Sequence, residues 1–176
     1  LYDATCREAP GMETRRELAL VHKRIGAIRM DIGELPEAIP HLEEAVRLDE
    51  EGRAAAPASA ARRRDLSTSF TQLGTGRQLQ GDIPGAVAAF SRAVALRDTL
   101  AAEDPSNAQA PRDLSSALRY LGEAQALAGN HGAAVAMLER SLSMAPVSRQ
   151  DDNLRALILH SLADARQRAG LHSVAV

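Results

Sequence analysis

The chain has one cysteine, Cys6, no tryptophan, and only two tyrosines and two phenylalanines among 176 residues. A single cysteine excludes an internal disulfide framework and a cysteine-based zinc site. Aromatics at 2% remove the stacking platforms that hold single-stranded nucleic acids. They also argue against a β-sandwich, whose strands draw on aromatic and β-branched residues. The net charge of -2 supplies no field that would gather nucleic acid or an anionic membrane. No apolar run approaches the roughly 18 residues a bilayer requires, so no membrane insertion is expected of this segment. No signal peptide stands at the amino terminus, and the first residue is Leu1 rather than Met, so a fragment or processed product is expected.

What is present is an apolar fraction of 45%, mostly Ala, Leu and Val, a composition suited to closely packed helices. That fraction is ordered by a repeat. "RRELALVHKRIG" (15–26), "RRDLSTSFTQLG" (63–74) and "PRDLSSALRYLG" (111–122) align without a gap, placing Gly26, Gly74 and Gly122 at a 48-residue period. The register continues through Gly33, Gly81 and Gly129, then Ala38, Ala86 and Ala134, then Leu42, Phe90 and Leu138, and closes on Val46, Val94 and Leu142. A fourth copy follows 41 residues on, with Leu162-Ala163 in place of Leu121-Gly122 and Gly170 in place of Gly129. Self-similarity at such a period marks an array of supersecondary units. Within each unit, Gly81-Asp82 and its counterparts break a first helix from a second.

These residues resemble the tetratricopeptide repeat, a helix-turn-helix of roughly 34 residues with a Leu-Gly pair, a mid-repeat Ala and a late aromatic. The resemblance implies an all-α fold: a right-handed α-solenoid of antiparallel helix pairs, a TPR-like superhelix. The period here exceeds the usual one by about 14 residues, close to four helical turns, so extended helices are expected. The resulting division is one array over 1–176: the tail of a preceding helix at 1–10, repeat one at 11–56, repeat two at 57–104, repeat three at 105–146 and a partial repeat four at 147–176. The phrasing of the long repeat is similar to arrays in large bacterial multidomain proteins, some of them C-terminal to serine/threonine kinase domains. No kinase signature lies in these residues.

In the resembled arrays the first helices line a concave groove that holds a peptide or protein segment. Carried over by register, the groove residues are Lys23, Ala27 and Met30 of the first repeat and Thr68, Thr71, Thr75 and Gln78 of the second. The third supplies Ser116, Arg119 and Glu123, and the fourth His160 and Asp164. The expected function is therefore a non-catalytic protein-interaction module. The alternative is a structural, regulatory or self-associating array of a larger enzyme, because an open-ended array exposes apolar surface at its ends. Chaperone-binding members of the family grip a terminal carboxylate with a clamp of Lys and Asn. Only Lys23 fits it: Ala27 replaces an Asn, Gln72 approximates another, and Ser116 and Tyr120 replace the basic pair.

No catalytic, cofactor or metal set emerges. The five histidines show no metal-ligand spacing with Cys or paired carboxylates. His160, Asp164 and Arg168 fall on one helix face as a charge ladder. Arg62-Arg63-Arg64 beside Asp65 is read as a solvated helix start, and the acidic residues Glu43, Glu44, Asp49, Glu50 and Glu51 as a soluble outer face.

Overall fold

A computed structural model of the chain describes residues 10–170. Among the described residues the elements are α1 (Pro10–Asp31), α2 (Leu35–Ala55), α3 (Ala60–Gln80), α4 (Ile83–Glu103), α5 (Ala110–Leu127), α6 (His131–Met144) and α7 (Asp152–Arg168). A 3-10 turn, Arg149–Asp151, leads into α7. The expected tail of a preceding helix, apart from Pro10, and residues 171–176 of the fourth repeat lie outside the described residues.

The return from first to second helix is set by two residues. At the end of α3, Gly81 takes φ +90°, a left-handed conformation that a side chain would strain. That conformation lets Asp82 N–H reach the Arg77 carbonyl at 2.9 Å. Asp82 then caps α4, its Oδ1 accepting the Gly85 N–H at 3.0 Å, and Pro84 fits the first turn, where no N–H is needed. The second helix is thus antiparallel to the first within a two-residue gap. Helices α2, α3 and α4 each run 21 residues. Pro40 lies inside α2, which continues through it at the cost of one helical N–H.

The helix pairs cross at glycine. A Cβ on Gly74 would sit 2.6 Å from Phe90 Cε1, one on Gly26 2.5 Å from Leu42 Cδ2, and one on Gly122 2.7 Å from Leu138 Cγ. In each pair, therefore, the missing side chain of the first helix is the space into which the large residue of the second inserts. Ala38, Ala86 and Ala134 are fully buried beside these crossings. Between pairs the apolar core is continuous. Leu42 and Val46 of α2 pack with Leu66, Phe70 and Leu73 of α3, and Phe90 and Val94 of α4 with Leu114, Leu118 and Leu121 of α5. Leu138 of α6 packs with Leu162 and Ala165 of α7.

Curvature follows from which helices approach one another. Successive first helices, α1 with α3, α3 with α5 and α5 with α7, come within 8 Å between Cα atoms, whereas α2, α4 and α6 do not meet at that distance. The first helices therefore form the inner face. The outer face is spanned by long side chains, Glu50 with Arg92 at 3.3 Å and Asp98 with Arg140.

Two expectations about charge are corrected here. Asp49 does not belong to a soluble acidic face: it is 2% exposed, accepts Lys23 Nζ at 3.0 Å and Ser69 Oγ at 2.6 Å, and so ties α2 to α1 and α3. Arg62 is likewise buried rather than solvated, its Cδ lying over Gly52 of α2, where a Cβ would come within 3.6 Å. In both cases the second helix of one pair and the first helix of the next close over a charge whose register position alternates with apolar neighbours.

Candidate functional site

Two cups open on the inner face. The first, of about 180 Å³, lies between α3 and α5 and is lined by Thr68, Thr71, Gln72, Arg97, Ser116 and Tyr120, among others. Its hydroxyls share one arrangement. Thr68 Oγ1 donates to the Arg64 carbonyl at 3.1 Å, Thr71 to Ser67 at 2.9 Å and Ser116 to Arg112 at 3.0 Å, each one turn back along its own helix. A hydroxyl whose hydrogen is committed to the backbone offers only its lone pairs, so the cup is rich in acceptors. The Gln72 Oε1, although its residue lines the cup, is buried out of reach of it and has no partner in the protein.

Beneath these acceptors lies Arg97, which reaches through from α4. Its Nε donates to Ser67 Oγ at 2.6 Å and its Nη2 to Thr68 Oγ1 at 3.4 Å, and it pairs with Asp113 of α5. Burial pulls the pKa of the Arg97 guanidinium down; Asp113 opposes that and Arg64 adds to it. The role of Arg97 is to brace α3 against α5 from below.

The second cup, of about 260 Å³, is set by α5 and α7 with Gln78 of α3 at its edge; Glu123, Leu127, His160, Asp164 and Arg168 line it. Glu123 accepts from Arg119 Nη1 and from Ser161 Oγ, both at 2.7 Å, and Arg168 Nε donates to Asp164 at 2.8 Å. The Arg119 guanidinium carbon stands 4.3 Å from the centre of the Tyr120 ring. Leu79 and Leu127, in the same register position of adjacent repeats, are exposed on this face.

Of the twelve residues expected to line a groove, Thr68, Thr71 and Ser116 meet in the first cup and Gln78, Glu123, His160 and Asp164 in the second. Thr75, half-buried and bonded to the Thr71 carbonyl at 3.0 Å, and Arg119 line neither. The first repeat departs from expectation. Lys23 is turned inward to Asp49 and is 8% exposed, so it presents no charge to a groove. Met30 is half-buried against the core around Leu42, and Ala27 is half-buried. Arg97 and Asp113 were not expected. The signal for Arg97 in the sequence is the register: it stands where Asp49 stands on α2 and Ala145 follows α6, a position charged in two repeats and apolar in the third.

In the first repeat His22 and His41 also meet, with their Nδ1 atoms 3.0 Å apart across α1 and α2. Their register counterparts in the second repeat are Phe70 and Ala89, both in the core. Among the described residues no group of three His, Cys, Asp or Glu side chains is arranged to hold a metal ion, and no helix is long and apolar enough to cross a membrane.

Comparison with solved structures fixes the architecture. A putative kinesin light chain of Podosopora anserina with nearly identical TPR-like repeats superposes with a TM-score of 0.70 at 24% identity, over 89% of this chain and 69% of that one. The fold is a TPR-like repeat solenoid. Two further matches are the first TPR domain of the human RPAP3 protein and the first TPR of Spaghetti (RPAP3) bound to an HSP90 peptide, SRMEEVD. Both are at 20% identity, with TM-scores of 0.42 and 0.39; they cover 86% and 84% of this chain and 98% and 94% of theirs. No family model and no curated protein matches the chain.

Proposed function

We propose that this solenoid is a non-catalytic interaction module that holds an extended segment of another polypeptide along the inner faces of α3, α5 and α7. The observation that carries the reading is the pair of unspent acceptors in the α3/α5 cup, Thr71 and Ser116, whose hydrogens are turned to the backbone. Acceptors in a row are answered by donors in a row, and the backbone N–H groups of an extended peptide are such a row. The neighbouring cup adds Glu123, Asp164 and the exposed Leu127, which suit a basic or apolar side chain of the same segment.

The test is selection of peptides from a random display library on the intact chain, with affinities then read by fluorescence anisotropy. Ser116→Trp, which fills the first cup, is expected to weaken a selected peptide by about ten-fold or more with unchanged circular dichroism, while Ala102→Trp on α4, away from the cups, leaves it unchanged. Equal binding by both variants refutes the groove. A second reading, a structural or regulatory array within a larger protein such as a serine/threonine kinase, draws support from one feature, the outward apolar face of α1. Kinase motifs in the same reading frame would test it.

A further inference from the structure

Helix α1 carries Leu18, Val21, Ile25 and Ile28 on one stripe, at intervals of three, four and three residues. Leu18, Val21 and Ile28 are 44%, 48% and 60% exposed, and Ile25 is half-buried. The same register positions elsewhere are buried, except that of Leu18 on α7, where Arg155 stands half-buried. Leu66 and Leu114 correspond to Leu18, and Ser69, Ala117 and Ile158 to Val21. Leu73, Leu121 and Leu162 correspond to Ile25, and Gly76, Ala124 and Ala165 to Ile28. In each of those three helices the cover is the second helix of the preceding pair: α2 on α3, α4 on α5, α6 on α7.

Charge at the edge of the stripe agrees. Arg77 of α3 bonds Glu43 of the covering α2 at 3.0 Å, and Arg166 of α7 bonds Glu139 of the covering α6 at 2.7 Å. Arg29 holds that position on α1. It pairs with Glu34 just past its own helix, at 2.6 Å, as Arg77 also approaches Asp82 at 3.9 Å. Arg29 thus keeps the intrahelical-end partner of its counterpart while lacking the carboxylate that a covering helix supplies.

A second copy of the chain does not fit this face. Two α1 stripes packed antiparallel about Val21 and Ile25 would bring Glu17 beside Asp31, Arg24 beside Arg24 and Arg15 beside Arg29, like charges at each edge position. The short joins seen between pairs, residues 56–59 and 104–109, show instead how a covering helix reaches its place within one polypeptide.

We infer that the outward face of α1 is the seat of the second helix of another helix pair of this kind, stacked ahead of α1 in the same polypeptide, with an acidic residue placed to take Arg29. This inference is independent of the groove reading, because it concerns the opposite side of α1 from the cups' helices and their inner face.

Two measurements test it. The gene immediately upstream, read in frame, is expected to encode a further unit with the glycine and alanine register of the three seen here; any other upstream sequence overturns the inference. Fit is tested by joining a copy of residues 57–106 directly to Gly11, which preserves the register, and following amide hydrogen exchange in α1. The expected result is exchange over residues 18–28 slowed by about ten-fold or more relative to the unmodified chain. Val21→Glu with Ile28→Glu should abolish that slowing while changing the unmodified chain less than about two-fold. Added helices that are themselves protected but leave α1 unchanged would overturn the inference. So would protection of α1 in the unmodified chain that rises with protein concentration, because a second copy would then be the occupant. If the added copy fails to fold, the native upstream segment replaces it in the same experiment.

Discussion

Replacing Lys23 with methionine separates a groove lysine from a structural one. Lys23 Nζ lies 3.0 Å from Asp49 Oδ2, with the two side chains 10% and 2% exposed, and Ser69 Oγ donates to the same carboxylate oxygen at 2.6 Å. Methionine keeps the length of the side chain and removes the charge. Asp49 is then left in the interior with one hydroxyl for company, a loss in the class of broken buried ion pairs, about 3–5 kcal/mol. For a chain of this size each kcal/mol moves the melting temperature by roughly 2–4 °C, so a fall of roughly 6–20 °C is expected. Because stacked pairs couple mainly to their neighbours, the loss should concentrate in α1, α2 and α3. The double variant Lys23→Met/Asp49→Leu removes both charges from a well-packed site and should recover most of that fall, since an apolar pair often matches or exceeds a buried ion pair. Thermal melts followed at 222 nm on the two single variants and the double complete the cycle. A Lys23→Met melt within about 2 °C of wild type would refute the buried bridge and return Lys23 to the groove.

Further outcomes follow from the same contacts. Gly74→Ala drives a methyl to within 2.6 Å of the Phe90 ring and should cost about 1–3 kcal/mol in denaturant titrations, with Gly74→Ala/Phe90→Leu partly restored. Gly132→Ala, at the start of α6 with nothing within 4 Å, should be neutral or stabilising by up to about 1 kcal/mol in the same assay. The pKa of His41 is lowered from 6.5, chiefly by burial and then by His22 and Arg29. The folded state therefore binds its proton less well than the unfolded chain. Stability should fall as pH drops through about 6.5 and below, and His22→Phe/His41→Ala, which installs the pair found at Phe70 and Ala89, should flatten that slope. Asp151 runs the same way, over a more acidic range. Arg112 and Ser148 hold its carboxyl below the usual range, so its contribution is present above the unfolded value of 3.8 and is lost as pH falls through the folded one. Asp151→Asn should loosen α7 first, as read by exchange in residues 152–168.

The fold was legible because the features that make it are local and repeated. Gly81 must turn the chain, Gly74 must admit Phe90, and Ala86 must let the two helices close, and each requirement recurs at 48 residues as the same residue type or a near equivalent. The same register brings Thr68, Thr71 and Ser116 into one cup and Gln78, Glu123, His160 and Asp164 into the other, but not Thr75 or Arg119. The inner face of the first repeat was not legible. Whether Lys23 faces solvent or core is decided by Asp49, which lies 26 residues away on another helix, and by Ser69 on a third. Periodicity places Lys23 on a helix, but only the pairing of helices makes it a buried cation. Arg97 escaped for the complementary reason: it belongs to a second helix, and reaches the inner face only because a long side chain can pass between α3 and α5.

Asp49 and Arg97 together explain why the inner face is not uniform. They occupy one register position on α2 and α4, and the same position falls just past α6, at Ala145, which is 4% exposed. A repeat that places an anion there must answer with a cation from the first helix, and Lys23 is withdrawn from the inner face to do so. A repeat that places a cation there is answered by Asp113 and by Ser67 and Thr68, which keeps Thr68 and its neighbours as acceptors around an open cup. A repeat with alanine needs no answer: the first-helix residue in the position of Lys23 and Thr71 is then Arg119, which pairs with the half-buried Glu123 of its own helix instead. The charge chosen at one position of the outer helix therefore decides which inner-helix side chains are drawn into the interior and which stay on the inner face. On this reasoning Asp49→Ala should release Lys23 to solvent and add a positive charge beside Ala27, extending the inner face by one repeat. That gain is measurable as tighter binding of acidic peptides by the variant, weakened again when Lys23→Met is added, and it is refuted if Asp49→Ala only unfolds α1 without changing peptide preference.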